Sequence, residues 1–222
     1  PIRRRGPILL GEFEFARRVS SRPVKPILSG PYTLARGSIL EGGYRELSAL
    51  VLAYADVLAE EVRDLAAAGA SLIQVDEPAI LHHPGGVPLL REALAPLARA
   101  KGGARLALHV YFGDVAKLYA ELQSIPVYVL SLDFTYSREL PRLIAAAGTS
   151  KILGLGLIDG RNTRLETPEA IFPVLDQVLP KLLDGHGYLS PSCGLEFLPR
   201  ERARAKLETM RRLKDAYFGG RV

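Results

Sequence analysis

Seven short apolar runs, each handed on to a longer stretch of helical spacing, constrain this chain more than any other feature. The runs are residues 7–13 (PILLGEF), 23–30 (PVKPILSG), 72–75 (LIQV), 105–113 (RLALHVYFG), 127–134 (VYVLSLDF), 152–159 (ILGLGLID) and 187–193 (GYLSPSC). After the second, Tyr44, Leu47, Val51, Tyr54, Leu58, Val62 and Leu65 recur every three or four residues, one apolar stripe with the 3.6 period of a helix. Gly69 follows, where a left-handed C-cap costs little, and the run 72–75 begins at once. A strand, a helix and a strand in such succession imply parallel strands and a right-handed crossover.

The same rhythm runs to the end. Helical spacing is read over 88–100, around Leu118, through Leu140, Leu143 and Ile144, from Pro168 through Ile171, Leu175 and Val178 to Leu182, and from Arg200 through Leu207 to Leu213. No linker or low-complexity break interrupts it. The alternation predicts one α/β domain over residues 1–222, a (β/α)8 TIM-type barrel; seven runs where eight are needed leave three readings, an N-terminal strand missing from this chain, a strand hidden in a loop, or an incomplete barrel. A doubly wound open sheet is the alternative. It would carry a Gly-rich phosphate loop before a helix, whereas the glycines of GLGLIDG lie within and just after a strand.

Composition narrows the function classes. With 222 residues, 48% of them hydrophobic and 24% charged, the chain buries a sizeable core. The net charge of +5 is spread among acids, and the Arg clusters near both ends have no aromatic platform beside them, which argues against nucleic acid. No apolar run approaches the ~18 residues of a membrane span, and nothing resembles a signal peptide. A single cysteine excludes an intrachain disulfide, so the expected compartment is the cytoplasm.

Polar residues gather where the apolar runs stop. They are Glu12, Ser29 with Gly30, Asp76 and Glu77, His109 and Tyr111, Asp133, Asp159, and Ser192 with Cys193. In a parallel barrel the C-terminal strand ends face one mouth, where chemistry is placed. Imidazole, carboxylate and thiolate are zinc donors, which makes His109, Asp133 and Cys193 candidate ligands. Each also has a plain structural reading: a hydrogen-bonded core histidine, a turn cap and a small buried hydrophobe. Asp76 and Glu77 have one too, as a turn cap and a solvated acid.

Six segments taken in order, VKPILSGPYTL, LIQVDEPAI, LHVYFGD, VLSLDF, LGLGLIDGRN and SPSCGLEFLPRERARAKLETM, resemble the cobalamin-independent methionine synthase family, including its short archaeal-type core members. The resemblance runs from about residue 7 to 213. It implies (β/α)8 barrels and transfer of a methyl group, from methyltetrahydrofolate or a methyl-corrinoid such as methylcobalamin, to the zinc-bound thiolate of homocysteine. Zinc would ionise a thiol that is otherwise mostly protonated at neutral pH. By resemblance Asp76 holds the amino group of homocysteine, with Glu77 and Ser29 lining the substrate site. His109 and Cys193 fall at ligand positions, and Asp133 stands where the family has a glutamate.

Two departures stand beside this. Tyr111 replaces an expected Cys ligand, and a phenol is a rare zinc ligand. GLIDGRN and the Ser before Cys193 are closer to the family's N-terminal barrel, which duplicates the fold without the catalytic zinc. Three functions are therefore open: a methionine-synthase-like methyltransferase, a non-catalytic companion barrel that pairs with a separate catalytic chain, and a barrel reused for another small amino acid or thiol. The resemblance also implies that the first strand of the family's barrel is missing from this chain, and a barrel short of a strand leaves an open edge, expected to be covered by the N-terminal segment, a second copy or a partner chain.

Overall fold

The computed structural model describes residues 2–40 and 43–219. Its elements are α1 (Leu10–Val19), β1 (Ile27–Ser29), α2 (Pro31–Arg36), α3 (Leu47–Ala67), β2 (Leu72–Asp76), α4 (Val87–Ala100), β3 (Arg105–Val110), α5 (Tyr119–Leu122), β4 (Val129–Asp133), α6 (Leu140–Ala147), β5 (Ile152–Ile158), α7 (Pro168–Val178), β6 (Gly187–Pro191) and α8 (Arg200–Gly219). The strands form a six-stranded sheet in chain order, β1-β2-β3-β4-β5-β6, the α/β barrel pattern expected from the alternation. Two compact units divide the chain: residues 1–110 with 120–129, and residues 111–119 with 130–222.

In the first unit β1 pairs β2 and β2 pairs β3, both parallel. α3 buries Val51, Ala55, Leu58, Val62 and Leu65, and α4 packs on it with Leu90, Ala93, Leu94 and Leu97. Each fully buried Leu or Val contributes roughly 1.5–3 kcal/mol, so this helix pair holds together strongly, and α3 also packs against β2. Gly69 ends the α3 turn at φ +93°, the left-handed conformation its position predicts.

The run 7–13 is not a strand, which leaves six strands among the described residues where seven were expected. Residues 10–19 form α1, with Phe13 buried. The physical reason lies on α3. The carboxylate of Glu61, with no exposure, accepts hydrogen bonds from the backbone N–H groups of Ile8 (2.9 Å) and Leu9 (2.8 Å) and pairs with Arg4. An acid there satisfies otherwise unpaired N–H groups just ahead of α1 and favours helix. A short apolar run is ambiguous between the two structures until such a partner is known. Glu12 consequently lies on the first turn of α1, not at a strand end.

In the second unit β5 pairs β6 in parallel, and every residue of β5 is buried. A Cβ added at Gly156 would lie 2.9 Å from the Ser192 Cα, so the glycine of this strand serves close backbone packing and not phosphate binding. α7 and α8 pack together, with Tyr217 of α8 donating to Asp176 Oδ1 at 2.7 Å.

Candidate functional site

Parallel register aligns the polar strand ends of the first unit. Ser29 pairs with Asp76, and Asp76 pairs with His109, so three of the residues singled out in the sequence stand side by side at the C-terminal ends of β1, β2 and β3. The ladder continues one step beyond, through Gly30 N–H to Asp76 O and Glu77 N–H to His109 O. Backbone hydrogen bonds on both sides thus fix the Asp76-Glu77 turn.

The two acids have different surroundings. Glu77 has no exposure, and its oxygens accept from Tyr32 N–H (2.9 Å), Thr33 N–H (2.7 Å) and the Thr33 hydroxyl (2.6 Å) at the start of α2. Burial pushes its carboxyl up to about 7, against the lowering effect of those three donors. Glu77 therefore positions α2 and has no free oxygen for a ligand. The Asp76 side chain is 17% exposed, and its Oδ1 accepts from Gln74 Nε2 at 2.7 Å.

Gln74 is the residue that organises this cluster, and sequence reasoning passed over it. It is a buried amide in the middle of an apolar strand, and that was the available signal. Its Nε2 also lies 3.1 Å from His109 Nδ1, and its Oε1 accepts from Lys25 Nζ. Lys25 is exposed, and partial desolvation of its ammonium group lowers its pKa, with the nearby Asp76 charge opposing. His109 Nδ1 is 3.9 Å from Asp76 Oδ1.

The second unit holds the other candidates. Asp133, at the end of β4 and with no exposure, accepts four hydrogen bonds: Oδ1 from the Thr135 N–H (2.9 Å) and hydroxyl (2.6 Å), and Oδ2 from Phe112 N–H (3.3 Å) and Arg161 Nη1 (3.2 Å). Arg161 also meets Asp159 Oδ1 at 3.2 Å and lies over the Tyr136 ring, 3.7 Å from its centroid. Cys193 is 3% exposed, and its thiol donates to the Gly194 carbonyl at 3.4 Å. Burial pushes this thiol's pKa up, only partly offset by the Ser192 hydroxyl. Tyr111 packs edge-on against Phe112.

These arrangements test the zinc expectation on donor chemistry. Both Asp133 oxygens accept hydrogen bonds, one of them from a guanidinium, and the Cys193 thiol is directed at the Gly194 carbonyl, contacts that a metal ion would have to displace. Among the described residues, no group of three or more His, Cys, Asp or Glu side chains is placed to hold a metal ion. As arranged, the residues do not fit a zinc site.

A cavity of about 400 Å³ opens beside β5 and α7, lined by residues that include Asp159, Asn162, Arg164 and Glu166. Among the described residues no helix is long and apolar enough to cross a membrane.

Comparison with known proteins places this geometry. The chain is 32% identical over 207 residues to a methionine synthase of Pyrococcus furiosus, and 34% identical over 209 residues to one of Pyrococcus abyssi. Each match takes in 92% of the chain, which spans 60% of the relative's length. Among solved structures, a B12-independent methionine synthase from Shewanella sp. W3-18-1 in complex with selenomethionine matches with a TM-score of 0.79 at 25% identity, over 95% of this chain and 67% of that one. A methyltransferase from Methanosarcina mazei matches at TM-score 0.71 and 18% identity, over 93% of this chain and 64% of that one, a likeness of fold. The fold is thus a partial TIM-type barrel. The model of the cobalamin-independent synthase catalytic domain matches residues 2–215, nearly the whole chain, which therefore belongs to the cobalamin-independent methionine synthase catalytic-domain family.

Proposed function

We propose that the protein is a methyltransferase that moves a methyl group to the sulfur of homocysteine, with Asp76 holding the amino acid's ammonium group. The observation that carries this reading is Asp76 itself: a partly exposed carboxylate at a C-terminal strand end, oriented by Gln74 and standing in register between Ser29 and His109. An ammonium bound there makes a charge-assisted hydrogen bond to an acid already fixed in place. The relatives named methionine synthase and the selenomethionine held by the Shewanella protein support a methionine-type amino acid as the ligand.

In this reaction a sulfur–carbon bond forms as the bond between methyl and its donor breaks, and the thiol proton is released. The donor is a methyl-corrinoid or methyltetrahydrofolate. The chain's own contribution is binding and orientation: Asp76 fixes the α-amino group, the exposed Ser29 beside it offers a hydroxyl, and Glu77 with Thr33 keeps α2 in place behind them.

A second reading, a non-catalytic barrel that pairs with a separate catalytic chain, is favoured by the commitment of Asp133 to Arg161. One experiment separates the two. The purified protein and Asp76→Asn are given homocysteine with methylcobalamin or methyltetrahydrofolate, and methionine is followed by mass spectrometry. Methyl transfer by the wild type that falls at least about tenfold in the variant, the loss of roughly one charge-assisted hydrogen bond, supports the enzyme. No homocysteine binding and no product with either donor supports the companion, which then co-purifies with a second chain.

A further inference from the structure

The hydrogen bonds around Gln74 determine which nitrogen of His109 carries a proton. An amide side chain has one accepting end and one donating end, and its orientation follows from its neighbours. Here both ends have unambiguous neighbours. Lys25 Nζ is a donor, so the end it meets is Oε1. The Asp76 carboxylate is an acceptor, so the end 2.7 Å from it is Nε2. Turning the amide over would set donor against donor at Lys25 and acceptor against acceptor at Asp76, losing two hydrogen bonds in a cluster where Gln74 is only 4% exposed. Gln74 Nε2 has two protons, one for Asp76 and one directed at His109 Nδ1, 3.1 Å away. Nδ1 must therefore accept, and in a neutral imidazole the proton resides on Nε2.

We propose that Lys25 and Gln74 hold His109 as the neutral imidazole protonated at Nε2, so that it acts as a hydrogen-bond donor and not as a metal ligand. Neither nitrogen then offers a lone pair. The one on Nδ1 is taken by the Gln74 amide, and Nε2 carries the proton. A metal-binding histidine shows the reverse pattern, giving the N–H of its other nitrogen to a carboxylate or carbonyl, which raises the basicity of the ligating one. Here the group behind the ring is a donor. With its proton on Nε2, the ring can only donate from that nitrogen. Lys25 and Gln74 are positioning residues, and they act through His109. The inference concerns the same cluster as the methyltransferase reading but does not depend on turnover, because it is measured on ligand-free protein.

The test is the tautomer itself. Uniformly ¹⁵N-labelled protein without added metal is observed at mildly alkaline pH by long-range ¹H–¹⁵N correlation of the imidazole rings. The His109 signals are identified by their loss in His109→Gln. The expected spectrum has a protonated Nε2 and an unprotonated Nδ1. In Gln74→Glu the new carboxylate accepts instead of donating, the proton moves to Nδ1, and the Nε2 lone pair is no longer protonated. Zinc affinity, read by competition with a chromogenic chelator, should then rise about tenfold or more and fall back in Gln74→Glu/His109→Gln. In the wild-type background His109→Gln should leave it unchanged. A wild-type ring protonated at Nδ1, or zinc binding by the wild type that His109→Gln abolishes, would overturn the proposal. If Gln74→Glu does not fold, the wild-type spectrum and the His109→Gln titration decide alone.

Discussion

Arg161 Nη1 lies 3.2 Å from Asp133 Oδ2, pairing a guanidinium with a carboxylate that has no exposure at all. Removing the cation leaves a buried charge without its counter-ion, which costs about 3–5 kcal/mol when one partner of such a pair is deleted. Arg161→Met should lower stability by roughly that amount. The double variant Asp133→Asn/Arg161→Met should recover much of the loss, because an amide needs no cation. Urea unfolding of the three proteins measures the coupling.

Glu77 makes stability depend on pH in a direction unusual for an acid. Its folded pKa of about 7 lies above the ordinary value of 4.5, so between these limits the folded protein keeps a proton that the unfolded chain has released. Its contribution therefore falls as pH rises from about 4.5 to about 7, by up to ~3 kcal/mol if the whole shift is realised. Glu77→Gln cannot ionise and should remove this slope, even though the amide suits the donors of Tyr32 and Thr33 less well. Thermal melts of both proteins across that pH window give the comparison; equal slopes would count against the assignment.

Glu61 ties the N-terminal segment to α3 through Ile8, Leu9 and Arg4. Glu61→Ala leaves those two part-buried N–H groups without their acceptor, at about 0.5–1.5 kcal/mol for each lost hydrogen bond. The loss is local. Hydrogen exchange should accelerate first in α1, while amides of β2 and β3 keep their protection until global unfolding.

Cys193 should be a slow thiol. It is 3% exposed and its pKa is raised, so little thiolate is present at neutral pH. Reaction with a chromogenic disulfide should run at least roughly tenfold slower in the native protein than in denaturant, since it then waits on local opening. Equal rates would show that the thiol is exposed or ionised.

Much of this molecule was legible from residue order alone, because the governing interactions are local. The apolar stripe of α3 and the left-handed turn at Gly69 follow from spacings of three, four and one residue, whatever surrounds them. The alternation that yields the barrel is the same signal repeated, and the polar strand ends Ser29, Asp76 and His109 fell into adjacent register as parallel pairing requires. Tertiary structure decided what depends on a partner distant in sequence. Residues 7–13 have an apolar pattern compatible with strand or helix, and Glu61, some fifty residues away, tips the balance by accepting their backbone N–H groups. Asp133 reads as a ligand until Arg161 occupies it, and Glu77 reads as a substrate contact until α2 uses up its oxygens. Gln74 has no meaning in the sequence beyond a polar residue in an apolar strand. Only when Lys25, Asp76 and His109 surround it does its amide acquire a direction. The physical reason is common to all of these. Periodicity is set by near neighbours along the chain, whereas the partner of a buried charge or amide is whichever group the fold brings within 3 Å, and low polarity there makes that choice costly to reverse.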